Sequence, residues 1–283
     1  MPGRIEVLGK HTDYAGGSSI VAALEQGFCL VAVPRQDRAV RVCALDREAE
    51  TVRFDLDPGL QVRLGHWSNY PMTVARRLAR NFPECRLGMD LAFASDLPPA
   101  SGMSSSSALI VGTFLVLAAV NELSATELYR RQLGEGGLNL AAYLGTIENG
   151  QSFGDLAGDR GVGTFGGSED HTAILCSEAG SLGQFAYCPA RFERRISMPQ
   201  GYSFAIGFSG IVAEKTGAAQ EQYNRAVSLV AAIVVAWQQA PNVSALAGAD
   251  LGPALQMIGA IIVRCVAGAL LAILALVIAP PDP

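Results

Sequence analysis

The sequence has no excess of basic residues, since 21 Lys and Arg stand against 26 Asp and Glu and give a formal net charge of -5. Binding to nucleic acid phosphates needs a basic surface, so a nucleic-acid-binding protein is not expected. The six cysteines lack metal-ligand spacing, no secretory apolar segment follows Met1, and no internal repeat or low-complexity linker stands out. These absences predict a cytoplasmic protein with reduced cysteines.

What the sequence does contain is a large apolar fraction, 50% of its 283 residues, which is enough for one large domain and part of another. Strand patterns come first and helical patterns later, which favours an α+β two-layer fold. We expect strands at Ile5–Leu8, Ile20–Leu24, Phe28–Val33, Val40–Ala44, Val52–Leu56, Met89–Ala94, Gln184–Tyr187 and Ser203–Phe208. We expect helices at Asn69–Ala79, from Ser105, from Thr126, at Leu138–Asn149 and along Lys215–Trp237.

The most informative segment is a loop rich in hydroxyl groups that runs through Ser104–Ser107 into the apolar stretch Ala108–Val120. The length of that stretch and its Ala and Leu content favour a helix. The first turn of a helix has unpaired N–H groups and the positive end of the helix dipole, so it is suited to bind phosphate. The alternative is that the serines only cap the helix.

A second polar loop lies near the N-terminus, where Lys10–Tyr14 connects two predicted strands between Gly9 and the pair Gly16 and Gly17. Lys, His, Thr, Asp and Tyr together provide many hydrogen-bond donors and acceptors. A sugar hydroxyl both donates and accepts a hydrogen bond, so this loop is suited to a polyhydroxylated ligand.

Together these segments resemble the galactokinases of the GHMP small-molecule kinase superfamily, and the likeness spans Gly3–Arg225. The matching residues are Gly3-Arg4, Gly9, His11-Thr12-Asp13-Tyr14, Gly16-Gly17, the serine loop, Trp67-Ser68-Asn69-Tyr70, Gly166-Gly167-Ser168-Glu169-Asp170, Ser209-Gly210 and Tyr223-Asn224-Arg225. The resemblance implies a ribosomal-S5-domain-2-like N-terminal domain at 1–180, followed by an incomplete C-terminal α+β domain at 181–283. It also implies transfer of the γ-phosphoryl group of ATP to the anomeric hydroxyl of galactose or a related sugar.

The resemblance assigns catalytic roles to Asp170, as the base, and to Arg4, as its cationic neighbour. The alternative for Asp170 is a residue that only forms a turn or caps a helix. ATP is expected at Ser101, Gly102, Ser104, Ser105, Ser106 and Ser107.

The resemblance also implies Mg²⁺, held by Ser105 or Ser106 together with Glu148. The segment Gly154–Gly161 makes the spacing between Glu148 and Asp170 longer than the spacing usual in the family. The alternative for Glu148 is a solvated charge at the end of a helix.

The expected sugar-binding residues are Lys10, His11, Asp13 and Tyr223. Galactokinases have Glu at the position of Lys10 and Asn at that of Glu6, and a cation in place of an acceptor changes which hydroxyls can be recognised. Lys10 would then bind a sugar with a carboxylate, or turn outward to a surface acid. Ala100 also replaces a glycine of the phosphate loop.

The C-terminal stretch Met257–Pro280 is apolar apart from Arg264 and lacks the third glycine-rich motif of the family. We expect a core helix of a truncated second domain, and a transmembrane helix is disfavoured because the uncharged run is too short. An aggregation-prone, non-native sequence is the third possibility. The alternatives to a kinase are a non-catalytic sugar or nucleotide binder, an inactive truncated kinase and a membrane-tethered fragment.

Overall fold

A computed structural model describes residues 1–98, 101–134, 136–208, 218–239 and 273–278. The chain divides into two compact units. The first unit comprises Met1–Pro99 and Met103–Met198, and the second comprises Ala100–Gly102 and Pro199–Pro283. The division after Met198 differs from the expected boundary at 180/181, because two strands beyond residue 180 pair with the sheet of the first unit.

The first unit is built on a mixed sheet of seven strands. The strands are β1 (Pro2–Leu8), β2 (Ser18–Pro34), β3 (Ala39–Ala44), β4 (Glu50–Asp55), β5 (Met89–Ser95), β6 (Ser181–Ala186) and β7 (Arg191–Ser197). Their order is β4-β3-β5-β2-β6-β7, and β1 also pairs with β2. The β3–β5 pair is parallel and the other pairs are antiparallel.

The helices of the first unit are α1 (Asn69–Asn81), α2 (Ser105–Val120), α3 (Glu127–Gln132), α4 (Gly137–Asn149) and α5 (Glu169–Cys176). Helix α2 has the predicted start and length, and it carries fully buried Ile110, Phe114 and Leu117. These side chains belong to one large core together with residues of α1, α4, β3 and β5. Burying each such side chain stabilises the folded state by roughly 1.5–3 kcal/mol. Helix α2 therefore supplies a large part of the apolar core of this unit.

Three features differ from the expected elements. The strands predicted at Ile20–Leu24 and Phe28–Val33 form one long strand, β2, because Gly27 continues the extended backbone. The short helix α5 and the strand β7 were not predicted. Strand β7 is mostly exposed and rich in arginine, so it lacks the alternating apolar pattern of a half-buried strand.

The second unit contains β8 (Ser203–Phe208), α6 (Ala218–Gln239) and β9 (Ile273–Ile278), with β8 and β9 antiparallel. Part of the apolar C-terminal stretch is therefore a strand where a helix was expected, and a short apolar run does not distinguish these two structures. The rest of that stretch lies outside the described residues. Within the described ranges, no helix is both long and apolar enough to span a membrane.

Candidate active site

The centre of the site is an ion pair between β1 and α5. Arg4 donates through Nε to Oδ1 of Asp170 at 2.7 Å, and its Nη2 lies 2.5 Å from the same oxygen. Burial opposes the charged guanidinium, but the nearby carboxylates of Asp170, Glu169 and Glu6 outweigh it and raise the pKa of Arg4. Both side chains of the pair are mostly buried, so it is only weakly screened by water.

Asp170 is the second residue of α5, whose N-cap position is occupied by Ser168. Its carboxylate contacts Arg4 on one oxygen and Ser107 on the other. A capping aspartate would instead accept from backbone N–H groups of its own helix. Both carboxylate oxygens of Asp170 therefore contact side chains from distant parts of the sequence, as a site residue would.

Ser107 links two carboxylates from different helices. Its Oγ lies 3.2 Å from Oε2 of Glu148 and 3.3 Å from Oδ2 of Asp170. A hydroxyl has one proton, so it donates to only one of these carboxylates at a time. Helices α2, α4 and α5 thus bring Ser107, Glu148 and Asp170 to one point.

Glu148 is buried and held by polar neighbours. Thr164 donates through Oγ1 to Oε1 of Glu148 at 3.3 Å, and Nε2 of His171 lies 3.6 Å from Oε2. Only 8% of Glu148 is exposed. This burial rules out the alternative that Glu148 is a solvated charge at a helix end.

The oxygen atoms of this cluster fit a magnesium ion. Carboxylate and hydroxyl oxygens are hard ligands, and Mg²⁺ is usually held by one or two carboxylates together with substrate phosphates and water. Within the described ranges, no group of three or more His, Cys, Asp or Glu residues is arranged to hold a metal ion, so the substrate phosphates would have to supply further ligands. Of the four consecutive serines, Ser107 contacts Glu148, whereas Ser106 shares a hydrogen bond with the hydroxyl of Tyr70.

The start of α2 is shaped for a ligand with hydrogen-bonding oxygens. Ser104 occupies the N-cap position with left-handed backbone angles, φ 57° and ψ 39°, and makes no side-chain cap bond. Its buried Oγ has no hydrogen-bond partner within the described part of the chain. Ser104 therefore does not act as the simple helix cap that its sequence context allowed, and left-handed backbone at a non-glycine residue is often found at functional positions.

Two other expected phosphate-binding residues, Ser101 and Gly102, group with the second unit. Pro99 and Ala100 lie outside the described residues. The substitution of Ala100 for a family glycine is therefore not assessed by the structure.

Asp13 connects the N-terminal loop to α5. It begins a short 3-10 turn, Asp13–Ala15, and its Oδ2 accepts a hydrogen bond from the backbone N–H of Glu169 at 3.2 Å. A Cβ atom at Gly167 would lie 2.2 Å from the same oxygen, so only glycine allows this approach. Burial raises the pKa of Asp13 to about 6, and the nearby charge of Asp170 acts in the same direction.

The other expected sugar-binding residues occupy different environments. Lys10 is exposed, while His11 is half-buried, has a left-handed φ of 61° and lies with its ring 6.2 Å from that of Tyr14. Thr12 stabilises this loop by donating through Oγ1 to the carbonyl of Gly9 at 2.6 Å. The side chain of Tyr223 lies outside the described residues.

Sequence reasoning did not single out Glu169 as a site residue. It is only 4% exposed, and burial together with the nearby charge of Glu6 raises its pKa. The side chains of Thr164 and His171 were also missed. Glu169 and His171 flank Asp170 in sequence, but only the placement of α5 against β1 and α4 shows that both face the site.

Two family models match separate segments of the chain. The galactokinase galactose-binding signature matches residues 2–34, and the GHMP kinases N terminal domain matches residues 69–154. The first segment contains Arg4 and Asp13, and the second contains Ser107 and Glu148. Asp170 lies outside both segments and links them, because it contacts Arg4 of the first and Ser107 of the second.

Curated galactokinases are similar over part of their length. The enzyme of Actinobacillus pleuropneumoniae serotype 5b (strain L20) is 38% identical over 108 residues, which are 38% of this chain and 28% of the relative. The galactokinase of Chloroflexus aggregans is 41% identical over 126 residues, 43% of this chain and 32% of the relative. The similarity thus spans about a third or less of each relative.

Solved structures share the fold. The Lactococcus lactis galactokinase complexed with galactose matches with a TM-score of 0.64 and 25% identity, covering 80% of this chain and 53% of that one. A D-glycero-D-manno-heptose 1-phosphate kinase from Bacteriodes thetaiotaomicron shares the fold alone, with a TM-score of 0.55 and 14% identity over 82% of this chain and 71% of that one. The chain is therefore similar to galactokinases over part of its length, and its residues 69–154 match the N-terminal domain of the GHMP kinases.

Proposed function

We propose that this protein is an ATP-dependent sugar 1-kinase whose substrate is galactose or a related monosaccharide. The observation that carries the proposal is the cluster of Arg4, Asp170, Ser107 and Glu148. It joins the galactose-binding signature to the helix that follows the serine loop. A sugar hydroxyl and a phosphoryl group must meet at one point for transfer to occur, and Asp170 lies between the two segments suited to bind them.

In the proposed reaction, the anomeric oxygen of the sugar forms a bond to the γ-phosphorus while the bond from that phosphorus to the β-bridging oxygen breaks. ADP leaves, and Asp170 takes or orients the proton of the attacking hydroxyl. Arg4 lies against the carboxylate of Asp170 and would offset the negative charge of the incoming phosphates.

ATP would bind with its phosphates at the first turn of α2, near Ser104–Ser107. Ser104 Oγ has no hydrogen-bond partner in the described chain, and the N–H groups of the helix start would face the phosphate oxygens. Glu148 and a serine hydroxyl of this turn would hold Mg²⁺. Bound there, the ion would offset charge on the β and γ oxygens.

The sugar would bind at the N-terminal loop, which carries His11 and Asp13. Asp13 accepts a hydrogen bond from the backbone N–H of Glu169, the residue before the candidate base. Galactose is the sugar present in the Lactococcus lactis structure, and it is the first substrate to test. Lys10 is exposed and replaces a family carboxylate, so the proposed site can differ from galactokinases in the hydroxyls that it recognises. The proposed location is the cytoplasm, where ATP and Mg²⁺ are available.

The proposal is tested by measuring ATP consumption of the full chain with Mg²⁺ and a panel of aldoses and uronates. We expect sugar-dependent turnover that Asp170→Asn lowers by at least about 100-fold, because the amide is not a general base. Asp46→Asn, an exposed aspartate remote from the cluster in sequence, is the matched control and should keep full turnover. Sugar and nucleotide binding without turnover in the unmodified protein would identify a non-catalytic binder instead.

A further inference from the structure

A loop with buried ionic contacts lies between the two candidate carboxylates in the chain. Residues 150–163 follow α4, which carries Glu148, and precede the segment that leads into α5 and Asp170. The loop returns to the end of α4, because Val162 donates through its N–H to the carbonyl of Glu148 at 2.9 Å. This loop contains Gly154–Gly161, the segment that lengthens the spacing between the carboxylates relative to the family.

The loop is anchored to α1 by ionic contacts that are almost free of solvent. Asp159 accepts from Nε of Arg76 at 2.6 Å through Oδ2, and its Oδ1 lies 3.4 Å from Nη1 of Arg77. The side chains of Arg76, Arg77 and Asp159 are 8%, 0% and 7% exposed. A carboxylate between two arginines in such an environment is held in one geometry, since any displacement would leave a buried charge without a partner.

The remaining donors of the two arginines hold both ends of the loop. Arg76 donates through Nη2 to the carbonyl of Gly161 at 3.1 Å. Arg77 donates through Nη2 to Oγ1 of Thr146 on α4, at 3.2 Å, and also to the carbonyl of Gln151. The same pair of side chains therefore fixes the end of α4 and the far side of the loop.

Two asparagines continue this anchoring toward α5. Asn69 on α1 donates through Nδ2 to the carbonyl of Val162 at 3.1 Å. Asn149, the neighbour of Glu148, donates through Nδ2 to the carbonyl of Gly166 at 2.7 Å. The backbone between the loop and α5 is thus tied to the start of α1 and to the end of α4.

Close packing of the loop also requires glycine at two positions. Gly150 and Gly161 have φ values of 86° and 60°. A Cβ atom at Gly150 would lie 2.6 Å from the carbonyl oxygen of Asp159, and one at Gly161 would lie 2.5 Å from that of Glu148. The loop is therefore a defined structure that contacts the backbone of Glu148 directly.

We propose that Asp159, together with Arg76 and Arg77, positions Glu148 and Asp170 for the metal–nucleotide complex. A buried ion pair adds little net stability compared with apolar residues of the same volume, so its expected effect is on geometry. Groups that orient metal ligands change metal affinity by about 10- to 100-fold when they are removed. The inference rests on the proposed kinase function, since it concerns the same site.

The test compares Asp159→Asn, Arg76→Met and Arg76→Lys in the full chain. We expect a dissociation constant for Mn²⁺ in the presence of a non-hydrolysable ATP analogue that is raised about 10-fold or more in Asp159→Asn and Arg76→Met. The effect of Arg76→Lys should be smaller, because lysine keeps the charge but cannot contact Asp159 and Gly161 together in a planar fork. Free Mn²⁺ is measured by electron paramagnetic resonance, and kcat should fall while the KM for the sugar stays within about 2-fold.

Asp155→Asn is the matched control, because Asp155 lies on the same loop but is exposed and pairs with Arg131 at 3.0 Å. It should leave Mn²⁺ affinity and kcat unchanged. Circular dichroism establishes that each variant is folded at the assay temperature. If Asp159→Asn is not folded, Mn²⁺ affinity and kcat are measured in Arg76→Lys and Asn149→Ala instead. Unchanged values in both variants would overturn the positioning role.

Folded variants that lose thermal stability but keep Mn²⁺ affinity and kcat would overturn the positioning role and leave a purely structural one. Failure of the kinase proposal is distinguishable from this result. In that case the unmodified protein would show neither sugar-dependent turnover nor Mn²⁺–nucleotide binding, and both proposals would fall.

Discussion

At the residue scale, Asp13 combines two properties that are in conflict. Its carboxylate is buried and receives one backbone hydrogen bond from Glu169, yet it lies near the charge of Asp170. Burial and this neighbouring charge raise its pKa from 3.8 to about 6. A sugar hydroxyl that donated to Asp13 would compensate the buried charge, so binding of the ligand and ionisation of this residue are coupled.

We predict that Asp13→Asn stabilises the folded protein above pH 6. Because the pKa is raised in the folded state, Asp13 contributes stability that is complete below about pH 4 and is lost as the pH rises through about 6. A shift from 3.8 to about 6 lowers the unfolding free energy at neutral pH by at most about 3 kcal/mol. The asparagine variant does not ionise, so its unfolding free energy is not lowered in this way. The difference in unfolding free energy between the two proteins should therefore grow between about pH 4 and pH 7 in urea titrations and stay constant above that range.

The exposed control Asp46→Asn should show a difference from the unmodified protein that is independent of pH in this range. A pH-independent difference for Asp13→Asn as well would contradict the raised pKa. The same variant should bind sugar more weakly, because the amide is a poorer acceptor than the carboxylate.

Individual site residues were predictable only where a motif marked them. The sequence placed Arg4 beside Asp170, and the structure has these side chains in contact. It named Ser105 or Ser106 as the hydroxyl beside Glu148, whereas Ser107 is the serine that contacts Glu148 in the structure. That choice depends on the rotation of α2 about its axis, which is set by the apolar residues it buries in the core.

At the element scale, the pairing of β1 with β2 determines the position of Arg4. Pro2 pairs with Gly27, and Arg4 pairs with Ala23 after an irregularity in the register. The backbone N–H of Phe28 donates to the carbonyl of Met1 at 2.7 Å. The strand that carries Arg4 is therefore held tightly at its first residue.

We predict that Gly27→Ala displaces β1. A Cβ atom at Gly27 would lie 2.1 Å from the carbonyl oxygen of Met1, which is backbone and cannot rotate away. Overpacking of this kind costs about 1–3 kcal/mol, and moving β1 would also separate Arg4 from Asp170. Urea unfolding should show the lower stability, and turnover should fall about 10-fold or more because the candidate base loses its cationic partner.

Gly136→Ala is the matched control, since nothing lies within 4 Å of a Cβ atom at that position and its φ of -90° is open to alanine. Gly136 is also the N-cap residue of α4, where alanine is less favourable than glycine, so this variant should lose at most about 1 kcal/mol of stability and keep full turnover. Equal stability of Gly27→Ala and Gly136→Ala would mean that β1 tolerates the added methyl group.

Elements with a strong apolar pattern were predicted well, and those formed through tertiary contacts were not. Helix α2 and strand β3 lie where their apolar residues predicted them. Helix α5 has only eight residues, and its start is defined by contacts with Asp13 and Arg4 from distant parts of the sequence. The segment Gly154–Gly161 was predictable as an insertion. Its anchoring depends on Arg76 and Arg77 of α1, which are far from it in sequence and share no motif with it.

At the scale of the whole molecule, the first unit collects the candidate site from segments far apart in the chain. The N-terminal strand, the start of α2, the end of α4 and the start of α5 each contribute one side chain to a continuous polar contact. A site assembled in this way exists only in the folded protein. Ligands that bind it must therefore shift the unfolding equilibrium of the unit.

We predict that galactose, and separately Mg²⁺ with a non-hydrolysable ATP analogue, raise the unfolding free energy of the full chain. Once a ligand exceeds its dissociation constant, each further tenfold increase should add about 1.4 kcal/mol, so differential scanning fluorimetry should show a midpoint that rises with the logarithm of concentration. Asp170→Asn should keep the effect of galactose, because it removes the candidate base and leaves the N-terminal loop in place. Asp13→Asn should reduce that effect, because it weakens the acceptor for the sugar. A midpoint that neither ligand changes at millimolar concentrations would contradict a sugar and nucleotide site in this unit.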